Sequence, residues 1–485
     1  MPAARARELG PAASPALALL VAGLLAACRA PEPVSLPAPA RPHLLLISLD
    51  TVRRDALGSY DPGRPSRTPV LDALAARGLR FERALAPIAF TLPSHMSMFT
   101  GLYPDAHQVL DKRTRLSQRV PTLPSLLQQA GYLTLGLASN AWMNGGYGFA
   151  RGFDHYEQLR FEKSEPVYAD RVNARAFELL DRRARAGQPV FLFLHYLDAH
   201  SDWDALPYDS PPELRRDLAV GEREFCTPAG RCATRFLLAL DRAKARVPAP
   251  VVEKIHALYR RGVQALDAEL GRLFAGLEAR GFLQHAIVVV TSDHGEEFRE
   301  HGRFGHAQTY EESLAVPLIA AFPDARHAGR SVAQPVELVD LLPTLLDWLE
   351  LPAAGGIQGR SLAALARGEA PERARPGALG QDKGRASRYA LRGARFVLIH
   401  DAADGTLELY DRAADPGETQ NLAEAEPERA RALRAALAAR LAEVRAGAAG
   451  RAPQRGGAAV LSPEDERQLR EIGYLEAGAE PAELD

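Results

Sequence analysis

The sequence predicts an α/β fold with a mostly parallel central sheet, followed by a smaller C-terminal α+β subdomain. Continuous apolar runs at 44–47 and 286–290 end in polar residues, which is typical of strands buried on both faces of a parallel sheet. Predicted helices alternate with such runs, as in chains that build a parallel sheet. After Gly359 the pattern changes to short strands and a helix rich in alanine and arginine.

The individual elements follow in order along the chain. Further strands are predicted at 133–138 and 190–194. Helices are predicted at 70–80, 121–130, 167–186, 251–280 and 336–351. In the subdomain, 395–400 and 406–410 are predicted to pair through a tight Asp-Gly turn at Asp404 and Gly405. Near the C-terminus, a linker at 446–459 precedes a cap, a proline and two acids, which predict a last helix from Ser462.

Composition and charge narrow the class of protein. The chain has 485 residues, of which 46% are hydrophobic and 25% charged, as in an ordinary globular protein with a sizeable core. Its 59 basic and 61 acidic residues give a net charge of -2. This balance lacks the basic excess of a nucleic-acid-binding protein, so no nucleic-acid partner is expected.

Polar residues follow two of the predicted strands. Asp50 lies just past the first strand, and Asp293 and His294 lie just past the strand at 286–290. Sites in open α/β sheets gather at the carboxyl ends of the strands. Two carboxylates and one imidazole could therefore bind one divalent cation. The alternative is ordinary, because an Asp after a strand often only supports a turn, and an Asp-His pair in a loop is often solvated.

Thr91 is the candidate nucleophile and a further metal ligand. The segment from Thr91 to Gly101 has a cap residue, a proline in its first turn and a glycine at its end, and so predicts a helix. The free N–H groups at the start of that helix would attract an anion beside Thr91. A threonine hydroxyl needs a metal or a base to become an effective nucleophile. The alternative is that Thr91 only caps the helix.

The order of these motifs resembles that of the sulfatase family, within the alkaline-phosphatase superfamily. The similar stretches are 46–51, 91–95, 131–132, 195–200, 291–296 and 305–312, and in the C-terminal part 408–411, 415–418 and 421–422. The resemblance implies an alkaline-phosphatase/sulfatase-like three-layer sandwich. It also implies a metal-dependent hydrolase that acts on a sulfate or phosphate ester of a small molecule, glycan or lipid. The expected organisation is a catalytic domain at 43–360, a subdomain at 361–445, and a linker with a terminal helix at 446–485.

By this resemblance, Asp50, Asp293 and His294 bind the metal and Thr91 occupies the catalytic position. The same resemblance assigns four basic residues to the anion pocket and to protonation of the leaving group: Lys112, His195, His200 and His306. Cationic and imidazole groups suit these roles, because they stabilise developing negative charge and transfer protons near neutral pH. The alternatives are solvated or buried structural histidines and, for Lys112, a charged loop.

Several residues depart from the family pattern. The best-known members carry Cys or Ser, which is converted to formylglycine, where this chain has Thr91, and Arg where it has His95. Thr51 replaces a second Asp, and His294 replaces an Asn. Threonine cannot form that aldehyde, and the pattern resembles the phosphoester, phosphonate and phosphoethanolamine branches of the superfamily. An imidazole with one fewer carboxylate favours zinc or manganese, with calcium or magnesium as alternatives.

The expected reaction is therefore cleavage of a phosphorus ester, or alternatively of a sulfate ester, through a covalent Thr91 intermediate. If an acceptor hydroxyl replaces water in the second step, the enzyme is a phosphoethanolamine-type transferase. A further alternative is a catalytically inactive, lipid-tethered binding protein, because one usual metal carboxylate is missing.

The N-terminus resembles a bacterial lipoprotein leader. Arg5 and Arg7 precede a short apolar segment at 15–27, and Cys28 follows Leu-Ala-Ala. We expect a signal peptide at 1–27, lipidation of Cys28, and a Pro/Ala-rich tether at 28–42 that leads to the folded domain. Arg29, rather than Asp, favours the outer membrane by resemblance to enterobacterial sorting. The protein would then face the periplasm from a lipid anchor in the cell envelope; the alternative is an ordinary secretory leader.

The two remaining cysteines lie in the part of the chain that least resembles the family, at 201–250. In an oxidising periplasm Cys226 and Cys232 could form a small disulfide loop, or they could remain free thiols in an insertion. This region is expected to face the substrate, where Trp203 and Tyr208 are candidate contacts.

Overall fold

The computed structural model describes residues 36–63, 66–159, 168–201, 206–208, 210–221, 223–228, 230, 232–370, 375–449, 463 and 467. The predicted signal peptide, Cys28, most of the tether, Trp203 and nearly all of the terminal helix lie outside these residues. Within the described part of the chain, no helix is long and apolar enough to cross a bilayer.

The strands are numbered in chain order. They are β1 (His43–Leu49), β2 (Leu79–Phe81), β3 (Ala84–Leu85), β4 (Leu133–Ala138), β5 (His155–Gln158), β6 (Val190–Tyr196), β7 (Ala286–Thr291), β8 (Glu297–Phe298), β9 (Phe304–Gly305), β10 (Ala315–Val316), β11 (Leu318–Ala321), β12 (Arg330–Val332), β13 (Val336–Glu337), β14 (Ala378–Gln381), β15 (Arg388–Arg392), β16 (Phe396–Asp401) and β17 (Leu407–Asp411).

The α-helices are numbered in the same way. They are α1 (Pro69–Arg77), α2 (Thr91–Thr100), α3 (Pro104–His107), α4 (Leu123–Gln129), α5 (Ala169–Arg183), α6 (Thr234–Arg242), α7 (Ala249–Ala279), α8 (Glu311–Leu314), α9 (Leu341–Trp348), α10 (Ala363–Arg367) and α11 (Pro427–Ala449). Short 3-10 helices lie at Arg54–Ala56, Gly58–Tyr60, Ala141–Met143, Gly145–Tyr147, Pro212–Leu214, Arg216–Leu218, Leu283–His285 and Leu338–Asp340.

The central sheet has eight strands in the order β12-β2-β11-β7-β1-β6-β4-β5. The five strands from β7 to β5 run parallel to one another, whereas β11 pairs antiparallel with β7 and with β2. In register, Leu46 of β1 lies between Phe193 of β6 and Val289 of β7. The predicted mostly parallel sheet is confirmed, and β1 occupies its centre.

The helices cover both faces of this sheet. Because successive side chains of a strand point to opposite faces, Leu44 and Leu46 of β1 join the hydrophobic core that contains α2 and α9. Leu45 and Ile47 join the second core, which contains α5 and α7. Burying each such side chain contributes about 1.5–3 kcal/mol relative to exposure. The predicted three-layer α/β/α sandwich is thus confirmed.

Two predicted helices have different limits in the structure. The helix predicted at 70–80 ends at Arg77, because the chain turns at Gly78 into β2. A Cβ atom on Gly78 would lie 2.4 Å from the carbonyl oxygen of Ala320, so only glycine fits against β11 at this point. The first residues of the helix predicted at 336–351 are wrong: Val336 and Glu337 form β13, which pairs with β3, and α9 begins at Leu341.

The C-terminal part forms a four-stranded antiparallel sheet in the order β14-β15-β16-β17. The predicted pair of strands corresponds to β16 and β17, and α11 follows them. Leu391, Leu398 and Leu409 from the sheet and Leu437 from α11 share one small core. Sequence reasoning missed β14 and β15.

Candidate active site

Asp50 and Asp293 meet at one edge of the central sheet. Both follow parallel, directly paired strands, β1 and β7, so they arrive at the same sheet edge, and both are 0% exposed. Asp50 Oδ2 accepts a hydrogen bond from Asn140 Nδ2 at 2.7 Å and lies 3.2 Å from His195 Nε2. Asp50 Oδ1 has no hydrogen-bond partner among the described residues. One oxygen of this carboxylate is therefore held, and the other is available to a ligand.

In Asp293, too, one carboxylate oxygen accepts hydrogen bonds and the other does not. Its Oδ1 accepts from the backbone N–H groups of His294 at 3.0 Å and of Thr51 at 3.3 Å. Thr51 adopts a left-handed backbone conformation with φ 59°, and this tight turn aims its N–H at Asp293. The Oδ2 atom of Asp293 has no hydrogen-bond partner within the described part of the chain. Burial and the charge of Asp50 raise the pKa of Asp293 well above its usual value.

His294 directs one ring nitrogen at these oxygens. Its Nδ1 lies 3.0 Å from the carbonyl oxygen of Gly295, so Nδ1 carries the proton and Nε2 carries the lone pair. That Nε2 lies 3.4 Å from Asp293 Oδ2, 3.9 Å from Asp50 Oδ1 and 3.4 Å from Thr91 Oγ1. Burial lowers the pKa of His294 to about 4, which keeps the ring neutral and able to bind a metal.

Asp50, Asp293 and His294 have ligand atoms close enough to hold one divalent cation, and Thr91 Oγ1 lies beside the histidine. Ligands about 2.0–2.1 Å from a tetrahedral zinc ion lie roughly 3.3–3.4 Å from one another, close to the spacings around His294 Nε2. Two fully buried carboxylates without a cation would be costly, and each leaves one oxygen atom for it. The residues that the sequence suggested as ligands are thus brought together in the structure: Asp50, Thr91, Asp293 and His294.

Thr91 is the first residue of α2, as the sequence predicted for the helix. The N-cap position belongs to Phe90 rather than to Thr91, so capping does not explain the threonine. The Thr91 side chain is 0% exposed and lies beside His294. Its hydroxyl therefore sits where the N-terminal N–H groups of α2 and the carboxylate cluster meet.

His306 lies next to His294, and His200 lies next to His306. The His306 ring is centred 4.3 Å from the His294 ring and 5.2 Å from the His200 ring. Burial lowers the pKa of His306 well below its usual value, and the nearby His294 and Lys383 lower it further. The structure thus brings both predicted histidines to the site.

Lys383 is a residue of the site that sequence reasoning missed. It lies between β14 and β15, its backbone N–H donates to the carbonyl oxygen of Ala307 at 2.9 Å, and its Nζ lies 4.1 Å from the centre of the Phe90 ring. Its positive charge acts on both His294 and His306. The lysine comes from the C-terminal sheet, so no local motif marked it.

His195 and Lys112, which were predicted to line the anion pocket, lie in other positions. His195 lies in β6, is 0% exposed, and contacts Asp50 Oδ2 while its Nδ1 lies 3.4 Å from the Ser139 backbone N. It therefore supports Asp50, because its position inside a buried strand directs it to the carboxylate. Lys112 lies in an exposed turn, and none of the described hydrogen bonds or ion pairs connects it with the site.

A second cluster, His95, His195 and Asp293, also has closely spaced ligand atoms. The two nitrogens of His95 already have partners: Nδ1 lies 2.9 Å from the Thr91 carbonyl oxygen and Nε2 lies 2.8 Å from Ser48 Oγ. Burial lowers the pKa of His95 well below its usual value, so the ring is neutral. This cluster therefore supports the first site rather than forming a second metal site.

Cys226 and Cys232 are joined by a disulfide in the structure. Tyr208, in the same region of the sequence, is buried, and its hydroxyl donates to Glu296 at 2.7 Å. Tyr208, predicted as a substrate contact, is therefore part of the protein interior.

Comparison with known proteins identifies the family. The Sulfatase family model matches residues 42–351, and the model described as N-sulphoglucosamine sulphohydrolase, C-terminal, matches residues 299–447. A fold and a site of this kind define a hydrolase of the alkaline-phosphatase-like class. The chain belongs to the sulfatase family.

Curated relatives agree with this assignment, and solved structures share the fold. The N-acetylglucosamine-6-O-sulfatase of Bacteroides thetaiotaomicron is 26% identical, over 83% of this chain and 86% of the relative. The Delta 4,5-hexuronate-2-O-sulfatase of the same organism is 25% identical, over 79% and 85%. The structure of BT4656 in complex with its substrate D-glucosamine-2-N,6-O-disulfate has a TM-score of 0.68 at 24% identity, covering 85% of this chain and 99% of that one. The phosphonate monoester hydrolase of Agrobacterium radiobacter has a TM-score of 0.65 at 23% identity, covering 84% and 96%. These two structures share the fold.

Proposed function

We propose that the protein is a metal-dependent esterase that uses Thr91 as its nucleophile and prefers phosphorus esters to sulfate esters. The observation that carries the proposal is the convergence of Asp50 Oδ1, Asp293 Oδ2, His294 Nε2 and Thr91 Oγ1 in a fully buried cluster. Zinc or manganese bound by these residues would lower the pKa of the Thr91 hydroxyl and offset charge on the transferred group.

The reaction would proceed in two displacements. Thr91 Oγ attacks phosphorus or sulfur in line, a new bond to Oγ forms, and the bond to the leaving oxygen breaks. The proton of the Thr91 hydroxyl is lost to solvent. A histidine beside His294, His306 or His200, would be protonated in the complex with the anionic ester and would give that proton to the departing alkoxide. Water then attacks the threonine ester and releases the acid. The N-terminus of α2 and Lys383 stabilise negative charge during both steps.

The preference for phosphorus esters rests on two residues. Thr91 cannot be converted to formylglycine, and His294 gives the site an imidazole ligand, which suits zinc or manganese. The relatives named as sulfatases support the second candidate, a sulfate ester carried by a sugar or another small molecule. Transfer to an acceptor hydroxyl instead of water would use the same threonine ester.

The test is a substrate panel after removal and return of the metal. Stripped protein would be reconstituted with zinc, manganese or calcium and assayed on matched aryl phosphate, phosphodiester, phosphonate and sulfate esters. We expect turnover to return with zinc or manganese and to be fastest on a phosphorus ester. Fastest turnover of the sulfate ester would overturn the preference, and undiminished activity of the stripped protein would overturn the metal-dependent mechanism.

We also propose that lipidated Cys28 tethers the protein to the periplasmic face of a bacterial outer membrane. The Cys226–Cys232 disulfide supports an oxidising compartment. Wild-type protein should partition into detergent and sediment with outer-membrane fractions, whereas Cys28→Ser should be soluble. Equal partitioning of the two proteins would indicate an ordinary secretory leader.

A further inference from the structure

A groove lies between α11 and one end of the C-terminal sheet. It has a volume of about 790 Å³. One side is formed by Tyr389 of β15 and His400 of β16, which lie opposite each other in register. The other side is a face of α11 with apolar side chains, three of them small: Ala435, Ala438, Leu441 and Ala442. The groove is therefore largely apolar, and its alanines allow another element to approach α11 closely.

This face of α11 differs from the side that packs on the sheet. Leu437 and Val444, seven residues apart, are buried in the small core of the subdomain. Ala435, Ala438 and Ala442 lie on a neighbouring face of the helix and are exposed. An exposed apolar face that lines a groove is a surface that another element can cover.

The rim of the groove is basic. Arg431, Arg434 and Arg445 line it. Arg431 pairs with Glu428, and Arg445 pairs with Asp105. None of the hydrogen bonds and ion pairs of the described residues involves Arg434. The charge of Arg434 therefore favours an acidic partner.

The chain continues after α11 with a segment of complementary chemistry. Residues 456–485 contain eight acidic and two basic residues. The helix predicted from Ser462 places Leu469 and Ile472 on one face, since they are three residues apart. An apolar face on an acidic segment matches an apolar groove with a basic rim.

The two described residues of this segment fit that orientation. Pro463 and Arg467 are helical and exposed. At 3.6 residues per turn, both lie on the opposite side of the helix from Ile472. A polar outer side at Arg467 leaves the side with Ile472 as the face for contact.

The segment can reach the groove. The groove follows α11 from Arg431 to Arg445, which is about 21 Å at the rise of an α-helix. Residues 450–461 can span up to about 40 Å when extended, so 462–475 can lie along the groove in either direction. Because groove and segment belong to one chain, the segment has an effective concentration that a separate molecule would have to exceed.

We propose that residues 462–475 bind in this groove and cover the alanine face of α11. Leu469 and Ile472 pack against the alanines, and acidic side chains of the segment lie near Arg434. This contact joins the C-terminus of the chain to the subdomain. It does not depend on the proposed esterase function.

Photocrosslinking of the full-length protein tests the contact. The photoreactive residue p-benzoylphenylalanine would replace Ala438, which lines the groove. As a matched control it would replace Ala432, which is exposed on the same helix but does not line the groove. Mass spectrometry should find a crosslink from position 438 to residues 462–475 of the same chain, and loss of this crosslink from position 432.

A substitution within the segment tests which face makes the contact. Ile472→Asp would bury a charge and should abolish most of the crosslink from position 438. Pro463→Asp, on the opposite side of the predicted helix, should leave it unchanged. Thermal unfolding would show that all variants are folded.

Three results would overturn the proposal. These are no crosslink from position 438 to the segment, equal crosslinks from positions 438 and 432, and an unchanged yield in Ile472→Asp. Mixing labelled and unlabelled protein separates crosslinks within a chain from those between chains. Crosslinks only between chains would assign the groove to a second copy and would also overturn it.

Discussion

Two regions of this molecule bury charged side chains, and they do so in different ways. At the edge of the central sheet, Asp50 and Asp293 are fully buried, and each has one oxygen without a hydrogen-bond partner among the described residues. Where the C-terminal sheet meets α8, Arg392 is equally buried but contacts the carboxylates of Glu311 and Glu418. Burial of charge is therefore not by itself a sign of function.

The difference lies in where the unpaired atoms point. A buried ion without a partner costs several kcal/mol, so the cluster at the sheet edge is expensive unless a cation joins it. At Arg392 opposite charges already meet, although its Nε has no hydrogen-bond partner among the described residues. Unpaired atoms that converge on one point indicate a candidate binding site, and paired charges indicate a structural contact between the two parts of the chain.

The largest change is expected in kcat when the proposed nucleophile is replaced. Thr91→Ala should lower kcat by about 10⁴-fold or more, because the attacking atom is lost, while the melting temperature changes little. Thr100→Ala is the matched control, since Thr100 lies in the same helix and its hydroxyl donates to the Met96 carbonyl oxygen and accepts from the Leu102 N–H, away from the site. Undiminished turnover by Thr91→Ala on the preferred ester would contradict the mechanism.

The second-largest change is expected in the free energy of unfolding when a structural ion pair is broken. Arg392→Met should lower the free energy of unfolding by about 3–5 kcal/mol, because it leaves Glu418 buried without its partner. Metal affinity of the folded protein should not change. Chemical denaturation would measure the loss, and adding Glu418→Gln should restore part of it. A strong loss of metal affinity would show that the two regions are not independent.

A smaller change, in metal affinity, is expected when a residue that holds a proposed metal ligand is replaced. Asn140→Ala removes the 2.7 Å hydrogen bond to Asp50 Oδ2 and should weaken metal binding by about 10–100-fold. Competition with a chelating dye would measure the affinity, and excess metal should restore turnover. Asn144→Ala in the same loop is the control, because Asn144 contacts Gly146 and Gln158 instead. Equal effects of the two substitutions would argue against a role for Asn140 in holding Asp50.

The smallest change is expected in the pH dependence of stability, which a buried, uncharged histidine contributes to. Burial lowers the pKa of His43 to about 4, and its Nδ1 accepts a hydrogen bond from the Val190 N–H. Since the unfolded chain binds the proton more tightly, this contribution to stability is complete above about pH 6.5 and is lost as the pH falls toward 4. At pH 5.5 the loss should be about 1–1.5 kcal/mol. His43→Asn should flatten this part of the pH profile of unfolding; an unchanged slope would contradict the assignment.

The parts of the site that depend on strand ends were predictable from the sequence. Continuous apolar runs located β1 and β7, and the polar residues just past them were Asp50, Asp293 and His294. The proline in the first turn and the glycine at the end located α2, although Thr91 is its first helical residue and not its cap. These predictions succeeded because neighbouring parallel strands bring their carboxyl ends to one edge of the sheet.

The rest depends on long-range packing. Lys383 reaches the site from the C-terminal sheet, and Glu296 acquires its partners, Tyr208 and His306, only when β8 pairs with β9. His195 was predicted to face the anion, but the pairing of β6 with β1 places it beside Ser48 and against Asp50. A residue type and its spacing do not fix which side chain it will meet across a sheet.

The most direct test of the account is an anomalous diffraction map of crystals grown with zinc or manganese. We predict one peak, within bonding distance of Asp50 Oδ1, Asp293 Oδ2, His294 Nε2 and Thr91 Oγ1. A peak between His95 and His195, or no peak in a protein that turns over its ester at full rate, would contradict it.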